Sequence, residues 1–445
     1  MINKEQIIEQ FEELFRRYEA QLNGQKEQAV HAVRRKAIEA LAEVGIPTRK
    51  DEEWRFTDLQ PLFSRSFDLP VKESGQAVTA GQVQPFLYVD FPGPQLVFVD
   101  GQFAPHLSTN IKDNAEVVIR PLAQMLKENP DGFDFMADEA ILKNNTFTAL
   151  NTAFTQDGVF IEVADRVVLQ SPINILYLSS GKATGVAQNV RTVVRVGKNA
   201  QVRVIETFLS MEQTEHFTNT LTLLQLDENA HAVHNKVQNE SQAAFHMGNI
   251  FVRQQANSHF VSNNLAFGGK LVRTNILVTL QGEGGEAQLN GLYMGNDAQH
   301  IDNNTLIDHA VSNCSSRELY QGILNDTATA VFSGKILVRP GAQKTDADQS
   351  NNCLLLSDEA RIDTKPQLEI YADDVRCTHG ATVGQLDADA IFYLRSRGIS
   401  EQRAKNLLIY SFAERIIDQM KVESVREFVD AIILQRFKEN MNFSK

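Results

Sequence analysis

A chain of 445 residues with 42% hydrophobic and 22% charged residues has the make-up of an ordinary globular protein with room for two or three domains. Its formal net charge of -13 repels a phosphate backbone, which argues against sequence-independent nucleic-acid binding. No apolar run approaches the ~20 residues a membrane helix needs, and three cysteines without CxxC spacing (Cys314, Cys353, Cys377) argue against a disulfide framework or a self-contained zinc site.

The first segment, "MINKEQIIEQFEELFRRYEA", mixes acids and bases on a helical period, unlike a signal or transit peptide, so a reducing cytoplasmic setting is expected. Ile7, Phe11, Leu14, Phe15 and Tyr18 predict one amphipathic helix, and Val30, Val33, Ala37, Ile38 and Leu41 a second. "GIPTRKDEEWRFTDLQP" breaks the period, and its Trp54 reads as an anchor packing this segment onto the body. Short, Pro/Gly-punctuated strands and loops follow to about Pro130.

From about Asp157 to Val375, short strands with alternating apolar residues succeed one another, as in Val159, Ile161, Val163 or Ile276, Val278, Leu280. Polar or Gly-rich corners lead into Ala200, Ala230, Ala256 and Ala287, a repeat of about 26 to 31 residues on the scale of solenoid coils. A parallel β-helix or a β-sandwich with long meanders satisfies this pattern. Helical periodicity returns after Gly384. Asp387 caps a helix carrying Ile391, Phe392 and Leu394 and ending at Gly398. Ser400 caps a second, with Leu407, Leu408, Phe412 and Ile416 as its apolar face, and Val425, Phe428, Val429, Ile432 and Ile433 mark a third.

No GxxxxGK[ST], GxSxG, HExxH or GxGxxG after a strand occurs, so the chain carries no self-sufficient catalytic motif. Most histidines of the β body (His231, His234, His246, His300, His309) are expected to be polar wall residues bonded to neighbouring coils. His231 and His234, three apart, would point to opposite sides of a strand. In "RCTHG", Cys377 and His379 share a face if extended, with Cβ atoms roughly 6–7 Å apart. Both could converge on one iron or sulfur atom, but two ligands make no closed iron–sulfur cage; alternatively Cys377 packs in the last coil and His379 bonds the adjoining helix.

"AQKTDADQSNNCLLLSDEARIDTKPQLEIYADDVRCTHGATVGQLDADAIFYLRSRGI", "HIDNNTLIDHAVSNCSSRELYQGIL" and "KDEEWRFTDL" resemble the SufB/SufD family, scaffold subunits of the SufBCD iron–sulfur cluster assembly complex. Gly380 stands after the histidine where SufB usually has Glu, so the resemblance is to the SufD branch. It implies a mainly β protein: a right-handed parallel β-helix core (131–385) between an N-terminal helical and mixed region (1–130) and a C-terminal helical region (386–445). It also implies a non-enzymatic scaffold with a SufB-like partner, and a SufC-like ABC-type ATPase that hydrolyses ATP in its place. The family's interfacial histidine, which faces a SufB cysteine, corresponds to His379, a transient metal ligand shared with the partner; Cys377 matches a neighbouring cysteine. Phe392, Tyr393, Arg395 and Arg397 are the expected ATPase contacts, although Phe392 also suits a core. The resemblance further implies no cofactor held by this chain alone, only a transient iron–sulfur cluster at the partner interface. No nucleic acid or membrane is expected as a partner, and an isolated chain could pair with itself. The alternatives are a SufB-like or homodimeric β-helix adaptor and a carbohydrate-active β-helix enzyme. The enzyme would call for a secretion signal and a carboxylate pair such as Asp346 and Asp348.

Overall fold

A computed structural model describes residues 3–22, 29–70, 78–111, 113–128, 138–182 and 184–439; the expected boundary at 130/131 lies outside the described residues. From Asp157 onward, successive strands alternate between two sheets and each pairs in parallel with the strand two earlier or two later in the chain. The result is a parallel β-solenoid of about eight turns flanked by helices at both chain ends, one of the two architectures the strand pattern allowed and the one the family resemblance implied.

One corner of each coil explains the repeat. Gln201, His231, His259, Glu286, Ser315, Asp346 and Arg376 stack in register at the start of successive strands. The residues two before them, Asn199, Asn229, Asn257, Gly284, Asn313 and Lys344, all have positive φ in the first six coils. That left-handed conformation turns the chain sharply, and Asn and Gly tolerate it best. The intervening residues are small and buried: Ala200, Ala230, Ser258, Cys314 and Thr345, with Gly285 at the same level. The alanine repeat read from the sequence is therefore partly out of phase. Ala256 sits inside its turn, and Ala287 is a strand residue in register with Ala232 through Phe260. The corner requires a small side chain rather than alanine, and its constant feature is the left-handed residue before it. The irregular corners around Asp326, Lys344 and Asp358 belong to both ends of the coils, which is why their spacing differs.

Inward-facing residues at both ends of the strands form the apolar core, including Val202, Phe260, Val278 and Ile307. Helices Lys4–Ala20, Ala29–Val44 and Thr146–Phe154 cover the outer face of the nine-stranded sheet, where Phe217, Phe245, Met247 and Leu271 meet Phe15, Leu41 and Phe154. Trp54 is buried in this layer, against Phe147, with ring centroids 5.6 Å apart. Helices Glu401–Ile417 and Glu423–Glu439 cover the ten-stranded sheet, packing on Ile205, Val237, Leu265 and Leu292. In the first of these, Ala404, Ile409, Ala413, Ile416 and Ile417 form the buried stripe. Of the expected apolar face, Ile416 lies in this stripe and Phe412 packs against it, whereas Leu407 points away from the sheet and is 45% exposed.

The two ends of the solenoid differ. At the N-terminal end, the strands Gln102–Phe103 and Val117–Pro121 run antiparallel and finish the two sheets. At the C-terminal end, Arg361–Ile370 and Arg376–Gly384 are the outermost strands, each paired on one side only among the described residues. A parallel strand left unpaired presents a row of backbone donors and acceptors ready to extend into another chain.

Candidate functional site at the open end of the solenoid

Cys377 and His379 lie on the outermost strand Arg376–Gly384, in register with Ala347 and Gln349 of the coil beneath. Ala347 and Gln349 are buried inward-facing residues, so by strand alternation Cys377, His379, Ala381 and Val383 all point into the space between the sheets. The facing strand contributes Ile362, Thr364, Pro366 and Leu368, in register with Ala330, Phe332, Gly334 and Ile336 of its own lower coil. Among the described residues no coil lies above them, and these side chains line an open mouth.

Their environments differ along the strand. Cys377 is half-buried against Ile336, Val338, Ala342 and Ala347. Burial pushes its thiol upward, opposed by the Ala347 backbone N–H and reinforced by the nearby Asp346 carboxylate, so the thiol keeps its proton until a metal or base takes it. His379 is exposed, and among the described residues its ring has no hydrogen-bond partner. A Cβ at Gly380 or Gly384 would touch nothing within 4 Å, and Val383 (49% exposed), Ile370 and Tyr371 leave apolar surface around the same end. Cys314 and Cys353 are buried elsewhere, Cys314 at a coil corner and Cys353 beneath Val383. Among the described residues, no three His, Cys, Asp or Glu side chains converge in a way that could hold a metal ion.

Deeper in the solenoid the middle of the strands is polar, a feature that alternation alone does not reveal. Glu206 accepts from Thr192 (2.6 Å) and Thr222 (2.8 Å) and pairs with His234 (2.7 Å). Burial opposes its ionisation, but these bonds outweigh burial and hold its carboxyl below the usual range. Of the histidines expected to bond neighbouring coils, His234 does so to Glu206 and His300 to Thr329 at 2.7 Å, whereas His246 pairs with Glu240 at 2.7 Å and His309 with Ser316 at 2.9 Å across a corner of their own coil. His231 and His234 lie on opposite faces, the first exposed and the second buried. Nearer the mouth, Gln349 Nε2 donates to Glu318 Oε2 at 2.6 Å, and Asn351 accepts from the Tyr293 hydroxyl at 3.0 Å. The Asp346 and Asp348 carboxylates are engaged by Arg317 (2.7 Å) and Thr378 (2.5 Å) respectively.

The helix Ala388–Ser396 leads away from this end, capped by Asp387, which accepts from the N–H groups of Asp389 (2.9 Å) and Ala390 (3.4 Å). It buries no side chain. Phe392 is 73% and Tyr393 55% exposed, so Phe392 is not a core residue. Arg397 stacks on the Tyr393 ring at 4.7 Å from its centroid, and Arg395 pairs with Glu401 at 3.2 Å.

Comparison with known proteins places this geometry. Residues 177–412 match the SufBD core domain of the SUF system of FeS cluster assembly, and residues 5–175 match the SufBD N-terminal region. The chain is 33% identical over 409 residues to the iron–sulfur cluster assembly protein SufD of Escherichia coli, covering 90% of this chain and 91% of that protein. It is 32% identical over 416 residues to an iron–sulfur cluster assembly SufBD family protein of Synechocystis, covering 92% and 91%. The SufD of Bacillus subtilis is 25% identical over 340 residues, covering 75% and 76%. No helix among the described residues is long and apolar enough to cross a membrane. With both halves matched and the likeness running nearly end to end, this chain belongs to the SufBD family of iron–sulfur cluster assembly proteins and is close to SufD.

Proposed function

We propose that this chain is the non-ATPase scaffold subunit of a cytoplasmic SufBCD-type complex, and that it contributes His379 to a cluster-assembly site at the interface with a SufB-like partner. The observation that carries this reading is the outermost strand, its outer edge unpaired among the described residues, with His379 and Cys377 on its inward face at the mouth. A partner solenoid pairing edge to edge there would close the mouth and bring foreign side chains opposite the imidazole. A second copy of this chain would meet the same edge when the partner is absent.

Iron and sulfide are the cargo of this site, not resident groups. Imidazole binds iron well, and one imidazole facing a partner thiolate holds a cluster less tightly than a closed set of thiolates, which suits a cluster that must leave. The half-buried Cys377 thiol is available beside it once deprotonated. ATP chemistry belongs to SufC-like ATPase subunits, and the exposed ring pair Phe392 and Tyr393, with Arg395 and Arg397, is the surface on this chain that one of them grips. ATP-driven closure of two such ATPases would shift the solenoid interface and open the site, a population change driven by nucleotide.

The test is to reconstitute the complex anaerobically with His379→Ala. Cluster yield should fall about tenfold or more, in line with loss of a metal-site group; an unchanged yield removes His379 from the mechanism. Truncation near Leu386 should release the ATPase from the copurified complex while the SufB-like subunit stays bound.

A further inference from the structure

His379 stands directly above Gln349 in the parallel register, and Gln349 stands above Glu318. In-register neighbours in a sheet are about 4.8 Å apart, so the three side chains form one stacked column running from the interior to the mouth. Glu318 and Gln349 are both buried, with 2% and 1% of their surface exposed. The Gln349 amide is tightly placed. Its Nε2 donates to Glu318 Oε2 at 2.6 Å, and it occupies the space that a side chain at Gly334 on the facing sheet would need. That fixes which way the amide points, yet Gln349 Oε1 is buried with no hydrogen-bond partner among the described residues. An unpaired buried carbonyl oxygen costs free energy, about 1–3 kcal/mol as a rule. The residue stacked on it, His379, has a ring whose N–H likewise lacks a partner among them.

The neighbouring inward amide, Asn351, is already engaged. Asn351 donates to Thr364 Oγ1 at 3.2 Å and accepts from Tyr293 at 3.0 Å. The remaining inward residues of the facing strand, Ile362, Pro366 and Leu368, offer no side-chain acceptor.

From this column we infer that Gln349, held by Glu318, is a positioning residue for His379: a rotation of the exposed ring, unbonded among the described residues, brings its N–H to the buried Gln349 Oε1, which accepts it and so selects the tautomer. Nδ1 lies on the Cβ side of the ring and is the nitrogen a stacked side chain from the coil below reaches. The imidazole is therefore held as the Nδ1–H form, with the Nε2 lone pair turned to the mouth as the ligand atom. A ring nitrogen bonded to a fixed acceptor behind a ligating histidine is the usual way proteins orient such a ligand. This inference rests on the reading of His379 as a ligand, but the two can fail separately.

The experiment is 15N spectroscopy of the full-length isolated chain, labelled at histidine, at a pH where the ring is neutral; the His379 signals are assigned by their loss in His379→Gln. In the wild type, Nδ1 should carry the proton. In Gln349→Met, which matches the shape but removes the acceptor, the ring should revert towards the Nε2–H form favoured in water, with the two nitrogen signals exchanging character. Glu318→Gln, which keeps an acceptor for the Gln349 amide, should retain the wild-type tautomer. A wild-type ring in the Nε2–H form overturns the inference even if no variant folds, as does a Gln349→Met chain with its other histidine signals unchanged and His379 still Nδ1–H. An unaffected cluster yield in His379→Ala would instead sink the ligand reading and leave the tautomer result intact.

Discussion

The guanidinium of Arg273 lies over the indole of Trp54, 3.9 Å from the ring centroid, while the same group pairs with the buried carboxylate of Asp302. Thr57, three residues beyond the tryptophan, donates to that carboxylate at 2.5 Å, and Arg273 also donates to the Glu53 carbonyl at 2.9 Å. A segment more than two hundred residues away in the chain is thus clamped to the solenoid by one cation, one anion and one aromatic ring. Trp54→Ala should cost about 3–5 kcal/mol, the range for large-to-small substitution in a core. Chemical denaturation should show it as a lowered midpoint, and limited proteolysis should release the N-terminal helices first. Arg273→Met should cost as much or more, because it strands the Asp302 charge in the interior.

Burial raises the Glu318 carboxyl to about 7, the Gln349 bond opposing it only in part. A carboxyl whose pKa is higher folded than unfolded binds its proton more tightly in the native state. Its contribution is therefore complete below about pH 4.5 and is lost as pH rises through about 7. Glu318→Gln should gain up to about 3 kcal/mol relative to wild type between pH 5 and pH 8, because each tenfold difference in proton affinity is worth about 1.4 kcal/mol. Parallel urea titrations at the two pH values check this; a pH-independent difference between the proteins would refute it.

Two tyrosines fill the solenoid interior by using glycines on the neighbouring coil. A Cβ at Gly291 would lie within the Tyr320 ring, and one at Gly322 within the Tyr293 ring. Gly291→Ala and Gly322→Ala should each destabilise by about 1–3 kcal/mol through overpacking. Gly380→Ala, on the open outer strand, should be neutral. Thermal melts of the three variants distinguish these outcomes.

At the mouth, exposure predicts a separation of stability from function. His379→Ala removes an exposed side chain and at most the one hydrogen bond to Gln349, so the isolated chain should lose no more than about 1 kcal/mol while cluster assembly falls. Cys377→Ser places a hydroxyl in a half-buried apolar setting and should cost about 1 kcal/mol by the same denaturation assay.

Phe392→Ala and Tyr393→Ala should leave the fold untouched and weaken ATPase copurification. Removing a buried aromatic anchor from an interface costs about 2 kcal/mol or more, roughly a thirtyfold loss of affinity. Tyr393→Ala also leaves Arg397 without the ring it stacks on. Calorimetric titration of the ATPase subunit into each variant measures the loss.

Much of this could be read in advance, and the misreadings are instructive. Alternating apolar residues and helix caps are local, so Asp387 and Ser400 were legible as caps and the strands as strands. The alanine repeat slipped out of phase at Ala256 and Ala287 because the corner selects for size, which Ser258, Gly285 and Cys314 satisfy equally well. Following the Asn and Gly residues that tolerate positive φ would have kept the phase. Leu407 was placed on an apolar face because periodicity gives the stripe and not the side that meets the sheet. The buried polar groups Glu206, Glu318 and Gln349 had no signature, since a buried glutamate and an exposed one look alike in a strand.

By itself, the order of residues determined that this chain coils: left-handed corner residues recur 27 to 31 apart from Asn199 to Lys344, each followed by a small side chain and a strand of alternating character. These are short-range constraints, written in neighbouring residues. The tertiary structure decided that Cys377 and His379 face the interior at the C-terminal end of the solenoid, that Phe392 stays in solvent, and that Gln349 lies beneath the imidazole. Those depend on which coil is last and which strand lies beside which, and stacking sets them only when residues some thirty positions apart come into register.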